Sequence, residues 1–380
     1  MSDSSAPVLE VRDLKKHFST GSATTGLLSR LLGDSNAGPV KAVDGVSFDL
    51  LENETLGVVG ESGCGKSTMG KSILRLIEPT SGEVRYDGES LTELPDREMR
   101  DRRQNLQLIF QDPGSSLNPR MKVKHLLREP LTNFRSLSRE ELDRQIDELL
   151  GQVDLPTTVK DRYPHELSGG QQQRVVIARA IALDPEVIVA DEPVTGLDVS
   201  VQSNILATLA DIQKELDLSL LFIAHDLAVI RHISDRVMVL YLGHVAELGD
   251  SEAVFSNPQH PYTRMLKQSI PRSHPEQSKD EVEAATGEPP SPSNPPSGCP
   301  FHPRCPAHIG DVCEEEYPEA VELTDGRTVA CHHFEAGDEP VPEDVDLSAE
   351  ETAADGGPAV DSSADSGPSV ADVAEGNADG

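Results

Sequence analysis

GESGCGKST, residues 60–68, decides how the rest of the chain is read. It fits the pattern G-x-x-x-x-G-K-[ST] and stands where that pattern works, after a strand-like apolar run (TLGVVG, 55–60) and ahead of a helical one (66–77). Gly60, Gly63 and Gly65 let backbone N–H groups curl around phosphate oxygens, with Glu61, Ser62 and Cys64 at the free positions. The helix start adds partial positive charge. Lys66 is placed to reach the β- and γ-phosphates of a nucleotide, the Ser67 hydroxyl to hold Mg²⁺, and Thr68 completes the pattern. Cys64 reads as a small space-filler rather than a reactive thiol.

Outward from this loop, strands and helices alternate. VIVAD (187–191) and LSLLFIAH (218–225) are near-continuous apolar runs, as buried parallel strands require, and VQSNILATLADIQKEL between them has a helical pattern. VLEVRDLKKHF (8–18) and VSFDL (46–50) read as further strands, and residues 19–39 as a loop. Residues 120–183 are mostly helical in pattern, with Ser138 and Glu141 forming a capping box ahead of one amphipathic helix. RVMVLYLGHVAELG (236–249) reads as a terminal hairpin. The fold class expected is α/β with a mostly parallel sheet. Residues 271–298 have a Pro/Ser/Glu linker composition, and 335–380 lack nearly all aromatic residues and are expected to be disordered.

Composition excludes several roles. No run of 18 apolar residues is present, and the first residues, MSDSSAPVLEVRDL, have no secretory pattern, so a cytosolic, membrane-free chain is expected. Of the net charge of −33, only 14 acidic residues lie from Glu335 onward, leaving 52 acidic against 33 basic residues before it. With only 11 lysines, such a surface suits a salt-loving source organism, the alternative being an ordinary acidic protein with an acidic tail. It also argues against nonspecific nucleic-acid binding, which needs a basic footprint.

Two further elements carry chemistry. VIVADEP (187–193) delivers Asp191 from a strand end toward the Mg²⁺ shell and places Glu192 beside it, suited to act as general base on water attacking a γ-phosphate. ELSGGQQQR (166–174) presents Ser168, Gly169, Gly170 and Gln171 at a helix start, a second anion site without a lysine.

With these motifs in this order, residues 8–250 resemble the ATP-binding cassette (ABC) ATPases, whose signature is LSGGQ. The resemblance implies a P-loop NTPase cassette with a parallel core, an antiparallel β part and a helical subdomain. It implies that Phe18, or another aromatic of the first strand, stacks on adenine, that Gln111 of LIFQDP senses Mg²⁺ and the membrane partner, that Asp198 of TGLD forms the D-loop, and that His225 of FIAHD contacts the γ-phosphate. TGLD departs slightly from the commoner SALD. The implied working form is a head-to-tail dimer in which Ser168 and Gly170 of one subunit complete the site around Lys66 of the other. Expected divisions are a cassette over 1–255 with its helical subdomain at about 112–182, a C-terminal domain over 256–334, and an acidic tail over 335–380.

The span from Lys66 to Ser168 is too short for the coiled coils of DNA-repair relatives, and the single cassette differs from two-cassette translation factors. KAVDGVSFDL, IFQDPGSSLNPRM, RYPHELSGGQQQR and NPQHPYTRML resemble the ATPase subunits of oligopeptide/dipeptide importers, and the long early loop and LNPRM resemble their F-type member. The resemblance implies a second ATPase subunit, two transmembrane permease subunits, an extracytoplasmic binding protein, and a place on the cytoplasmic face of the membrane. Nickel and oligosaccharide importers of the same class, and a cassette that binds ATP without transport, are the alternatives.

Four of the five cysteines, Cys299, Cys305, Cys313 and Cys331, lie in or near GCPFHPRCPAHIGDVC (298–313). Their gaps lack the C-x2-C knuckles of structural zinc, yet four thiolates match the ligand count of a tetrahedral zinc or an iron–sulfur cluster. The importer ATPases carry such a motif, which implies a 4Fe–4S cluster, with zinc as the alternative. Read from sequence, the segment is peripheral and has no part in hydrolysis.

Overall fold

The structure, a computed structural model, describes residues 7–19, 38–269, 288–342, 345 and 347. In chain order, the first part runs β1 (Pro7–Phe18), β2 (Val40–Leu51), β3 (Thr55–Val59), α1 (Lys66–Ile73), β4 (Ser81–Tyr86), β5 (Glu89–Ser90), α2 (Asp96–Arg102) and β6 (Leu106–Ile109). A helical block follows: α3 (Pro113–Ser116), α4 (Val123–Phe134), α5 (Arg139–Gln152) and α6 (Gly169–Ile181). Then come β7 (Val187–Asp191), α7 (Val199–Leu216), β8 (Ser219–Ile223), α8 (Leu227–Ile233), β9 (Arg236–Tyr241), β10 (His244–Asp250), α9 (Ser251–Ser256) and α10 (Pro261–Gln268). The C-terminal segment adds α11 (Asp311–Glu315), β11 (Val321–Glu322) and β12 (Thr328–Val329).

Two sheets result. One is antiparallel, in the order β2-β1-β4-β5. The other runs β11-β12-β10-β9-β3-β8-β7-β6, parallel from β9 to β6 and antiparallel beyond. The apolar runs of β7 and β8 are continuous because both faces are covered. Val187, Val189, Leu221 and Ile223 pack with β1, β2 and α1. Ile188, Ala190, Leu220 and Phe222 pack with the helical block. Period-2 alternation thus splits one strand between two cores. In the helical block, Ser138 caps α5 with the expected reciprocal bonds, Glu141 N–H to Ser138 Oγ and Ser138 N–H to a Glu141 carboxylate oxygen.

The structure departs from the sequence reading at four places. The helix expected over 66–77 stops at Ile73, because Arg75 turns left-handed (φ 46°) and donates to the carbonyls of Leu91 and Leu94. The hairpin of β9 and β10 is not terminal: β12 pairs with β10 through Glu247↔Val329 and Leu248↔Thr328. The chain also stays bonded to the fold past Glu335, with Val341 exchanging hydrogen bonds with the Gln259 side chain and Val345 accepting from Arg264. β4 (SGEVRY) is too polar, and β6 (LQLI) too short, to announce themselves. Residues 20–37 of the expected loop, 271–287 of the expected linker and the tail beyond 347 lie outside the described residues.

β12 is fixed by a buried ion pair. Glu247, fully buried, accepts from the N–H groups of Gln259 and His260 at 3.0 Å each. Arg327, also buried, brings Nη1 to 3.6 Å from it and donates to Asp325 and to the carbonyls of Ala253 and Asn257.

Candidate active site

β3 delivers the phosphate loop and α1 leaves it. Gly65 takes φ +106°, and a Cβ there would lie 1.9 Å from the Ala42 carbonyl oxygen on β2. Only glycine allows the loop this close to its neighbour. Lys66 is buried, its ammonium donating to the carbonyls of Gly60 (2.7 Å) and Glu61 (3.0 Å) across the loop. Cys64 is buried beside it, and burial pushes its thiol pKa up, as suits a space-filler.

From α1, Ser67 Oγ donates to Asp191 Oδ1 at 2.6 Å, so the hydroxyl and the strand-end carboxylate meet. Lys71 stands 3.7 Å from the other Asp191 oxygen. A hydroxyl, one carboxylate and substrate phosphate oxygens are the donor set that Mg²⁺ accepts while keeping water ligands.

Glu192 follows in a left-handed backbone (φ 49°), its N–H held by the Ile223 carbonyl. Such a conformation costs about 1–3 kcal/mol and turns the side chain away from the strand's line. One carboxylate oxygen, Oε2, then receives Gln111 Nε2 at 3.0 Å, Thr195 Oγ1 at 2.9 Å and His225 Nδ1 at 3.2 Å. Gln111, Glu192 and His225, predicted separately from three places in the chain, meet at one atom. Thr195 was not predicted; its only sequence signal is its place three residues past Glu192.

Ser168 caps α6, accepting from Gln171 N–H while Gln171 Oε1 accepts from Ser168 N–H. Gly169 lies against Leu197, and Gly170 against Val201 so closely that a Cβ would come within 2.5 Å. Ser168–Gln171 and the turn carrying Asp198, which caps α7, are therefore neighbours. Among the described residues no hydrogen bond joins Ser168–Gln171 to the phosphate loop of the same chain. Phe18 is partly exposed at the end of β1, opposite Val40, with Lys16 Nζ 5.0 Å from its ring centroid.

The Cys-rich segment is not peripheral, which corrects the sequence reading. Arg304, one residue before Cys305, donates both Nη1 (2.9 Å) and Nη2 (3.0 Å) to the Glu61 carboxylate in the phosphate loop. Tyr262 of α10 accepts from Glu61 N–H at 2.9 Å. Neither contact is signalled in sequence, since the partners lie about 200 residues or more apart.

Cys299, Cys305, Cys313 and Cys331 line one small cavity with His260, His302, His332 and His333. Burial pushes Cys305 and Cys331 up to about 12, and Cys299 upward. His302, His332 and His333 each donate a ring nitrogen to a backbone carbonyl, of Cys299, Glu316 and Ala307. Among the described residues no three His, Cys, Asp or Glu side chains are grouped to hold a metal ion. The four thiols thus share one cavity, but their geometry does not support the metal centre expected from sequence.

Beside Gln111 an open groove of about 310 Å³ runs between β6 and the helical block, lined by Leu76, Phe110, Pro130, Phe134 and Arg179 among others, with Leu76 and Phe110 exposed. Among the described residues no helix is long and apolar enough to cross a membrane.

Residues 43–195 match the ABC transporter family, and residues 246–313 match the oligopeptide/dipeptide transporter C-terminal region. The oligopeptide transport ATP-binding protein AppF of Bacillus subtilis is 47% identical over 329 residues, 86% of this chain and 97% of that protein. Among solved structures, the ATP-binding cassette MJ0796, dimeric and bound to ADP and Pi after hydrolysis, superposes with a TM-score of 0.56 at 29% identity, covering 64% of this chain and 98% of that one. CbiO1 of Clostridium perfringens, part of the transporter complex cbiONQ, gives 0.56 at 26% identity, covering 66% and 90%.

Proposed function

The chain belongs to the ABC transporter ATP-binding proteins of the oligopeptide/dipeptide class, and from that premise we propose how its residues divide the work of ATP hydrolysis. It is the ATP-hydrolysing subunit of a peptide importer. The observation that carries the division of roles is the meeting of Gln111, Thr195 and His225 on one oxygen of Glu192, beside the Ser67–Asp191 pair.

Lys66 and the loop N–H groups bind the phosphates, exchanging the Gly60 and Glu61 carbonyls for phosphate oxygens. Ser67 and Asp191 would hold Mg²⁺, which when bound would neutralise charge on the phosphates. Glu192 takes the proton from the attacking water, and His225 turns from Glu192 to the γ-phosphate. Phe18 receives the adenine. Ser168, Gly169, Gly170 and Gln171, unlinked to the loop of their own chain, serve the loop of a second ATPase subunit, with Asp198 at the joint.

Glu192→Gln tests this reading. It keeps the geometry and removes the base, so MgATP binding survives while turnover falls about 10²–10⁴-fold. Substantial remaining turnover in the assembled transporter would remove Glu192 from that role.

The groove beside Phe110 and Gln111 is the proposed seat of a permease's cytoplasmic segment, because apolar surface there adjoins the residue that reaches Glu192. Two permeases, fed by an extracytoplasmic binding protein, would hold the subunit at the cytoplasmic face. LNPRM and the long early loop favour the F-type role, hence pairing with a different ATPase. Four cysteines lining one cavity match the ligand count of a 4Fe–4S cluster, which the family resemblance places ahead of zinc. Colourless protein with stoichiometric zinc after anaerobic purification would reverse that order. The acid-rich, lysine-poor composition supports a salt-adapted surface, and a fold whose stability ignored molar salt would sink it.

A further inference from the structure

We propose that Arg304 and Tyr262 are positioning residues for the phosphate loop: from the C-terminal segment they brace Glu61, and through it Lys66. The inference rests on reading residues 60–68 as the ATP site. Every polar main-chain and side-chain group of Glu61 is engaged. Its carboxylate takes both terminal nitrogens of Arg304 at 2.9 and 3.0 Å, its N–H donates to Tyr262 Oη at 2.9 Å, and its carbonyl accepts from Lys66 Nζ at 3.0 Å. Lys66 and Arg304 are therefore joined through a single residue.

The brace is built to be stiff. The Arg304 side chain is 7% exposed, its guanidinium carbon lies 5.9 Å from the ring centroids of both Tyr241 and Phe301, and Nη1 also donates to Tyr241 Oη. A planar fork on a carboxylate, shielded from water by two rings, fixes direction as well as distance. Tyr262 is fully buried and packs against the same two rings. When phosphates enter, Lys66 leaves the Glu61 carbonyl. Glu61 then stays in place only if its other two attachments hold, and both come from beyond β10. α10 and the Cys-rich segment together therefore set how well the loop is preformed for ATP.

The experiment uses the full chain with MgATP, and with AMP as the probe that lacks the β- and γ-phosphates. Arg304→Gln weakens MgATP binding about tenfold and leaves AMP binding unchanged. Arg304→Lys recovers part of the loss, because a point charge pairs but cannot fork. Tyr262→Phe, which keeps the ring, gives a smaller loss in the same direction. Glu61→Gln matches Arg304→Gln, and the double variant loses no more than either. Wild-type MgATP affinity in folded Arg304→Gln, equal weakening of MgATP and AMP, or additive losses would each overturn the proposal. Should Arg304→Gln fail to fold, Glu61→Gln breaks the same pair from the other side and decides alone. A wild-type chain that binds no MgATP overturns the ATP-site reading itself.

Discussion

Replacing Arg327 by Met tests the electrostatic joint between cassette and C-terminal segment. Arg327 and Glu247 are both buried, 3.6 Å apart, and the guanidinium also satisfies the carbonyls of Ala253 and Asn257. Methionine fills much of the volume but removes the cation beside Glu247 and frees the carbonyls of Ala253 and Asn257. Breaking one side of a buried pair costs about 3–5 kcal/mol. For a chain of this size that lowers the thermal midpoint by roughly 4–6 °C. Burial raises the Glu247 pKa above its usual range, while the Gln259 and His260 N–H groups and Arg327 oppose that rise. Without Arg327 it rises further. An acid whose folded pKa is raised contributes stability below its unfolded pKa and loses it as pH rises through the folded value. The variant's deficit must therefore be larger at pH 8 than at pH 5. Thermal unfolding of the full chain at both pH values, with limited proteolysis to see whether the C-terminal segment opens first, measures it. A deficit below about 1 kcal/mol, or one independent of pH, would refute the reasoning.

Other tests are independent of that pair. Gly65→Ala drives a Cβ into the Ala42 carbonyl oxygen at 1.9 Å and should abolish MgATP binding in calorimetry, whereas Gly63→Ala, with nothing within 4 Å, bears only the strain of φ +81° and retains most of it. His244, held by burial at about 4 despite Asp44 nearby, stays neutral in the fold while the unfolded chain protonates below about 6.5. Its contribution is present above 6.5 and is lost as pH falls toward 4, about 2 kcal/mol by pH 5, so unfolding curves of His244→Gln should change less between pH 7 and 5 than those of the wild type. Truncation after Leu347 should leave the thermal midpoint unchanged, while truncation after Phe334 strips the Val341–Gln259 bonds and lowers it.

The parts legible in sequence were those whose physics is local. Residues 60–68 bend, cradle and cap within nine positions, Ser138 and Glu141 find each other within one turn, and Asp191 and Glu192 are adjacent. Gln111 and His225 were assigned through the company they keep in the chain order, and the fold then brought them to the same oxygen. What was hidden is what only tertiary packing creates. Arg304 looks like any loop arginine until β9 and α10 carry their tyrosines beside Glu61. β12 contributes two residues of pairing, too few for a pattern. Composition marked the tail as starting at Glu335, but a hydrogen bond to backbone needs no hydrophobic side chain, so Val341 holds on inside an acidic stretch.

The pairing of β12 onto β10 also has a temporal side. Chains emerge from the ribosome at roughly 5–20 residues per second, and contacts between distant positions wait for the later partner. Glu247 must wait for Arg327, on the order of several seconds at that pace. Until then the nascent cassette carries an unpaired strand edge and a carboxylate without its cation, and its phosphate loop lacks the Arg304 attachment. The chain is thus unable to finish its nucleotide site until its C-terminal segment has been made, so an abortive product ending near residue 255 is left without the finished site.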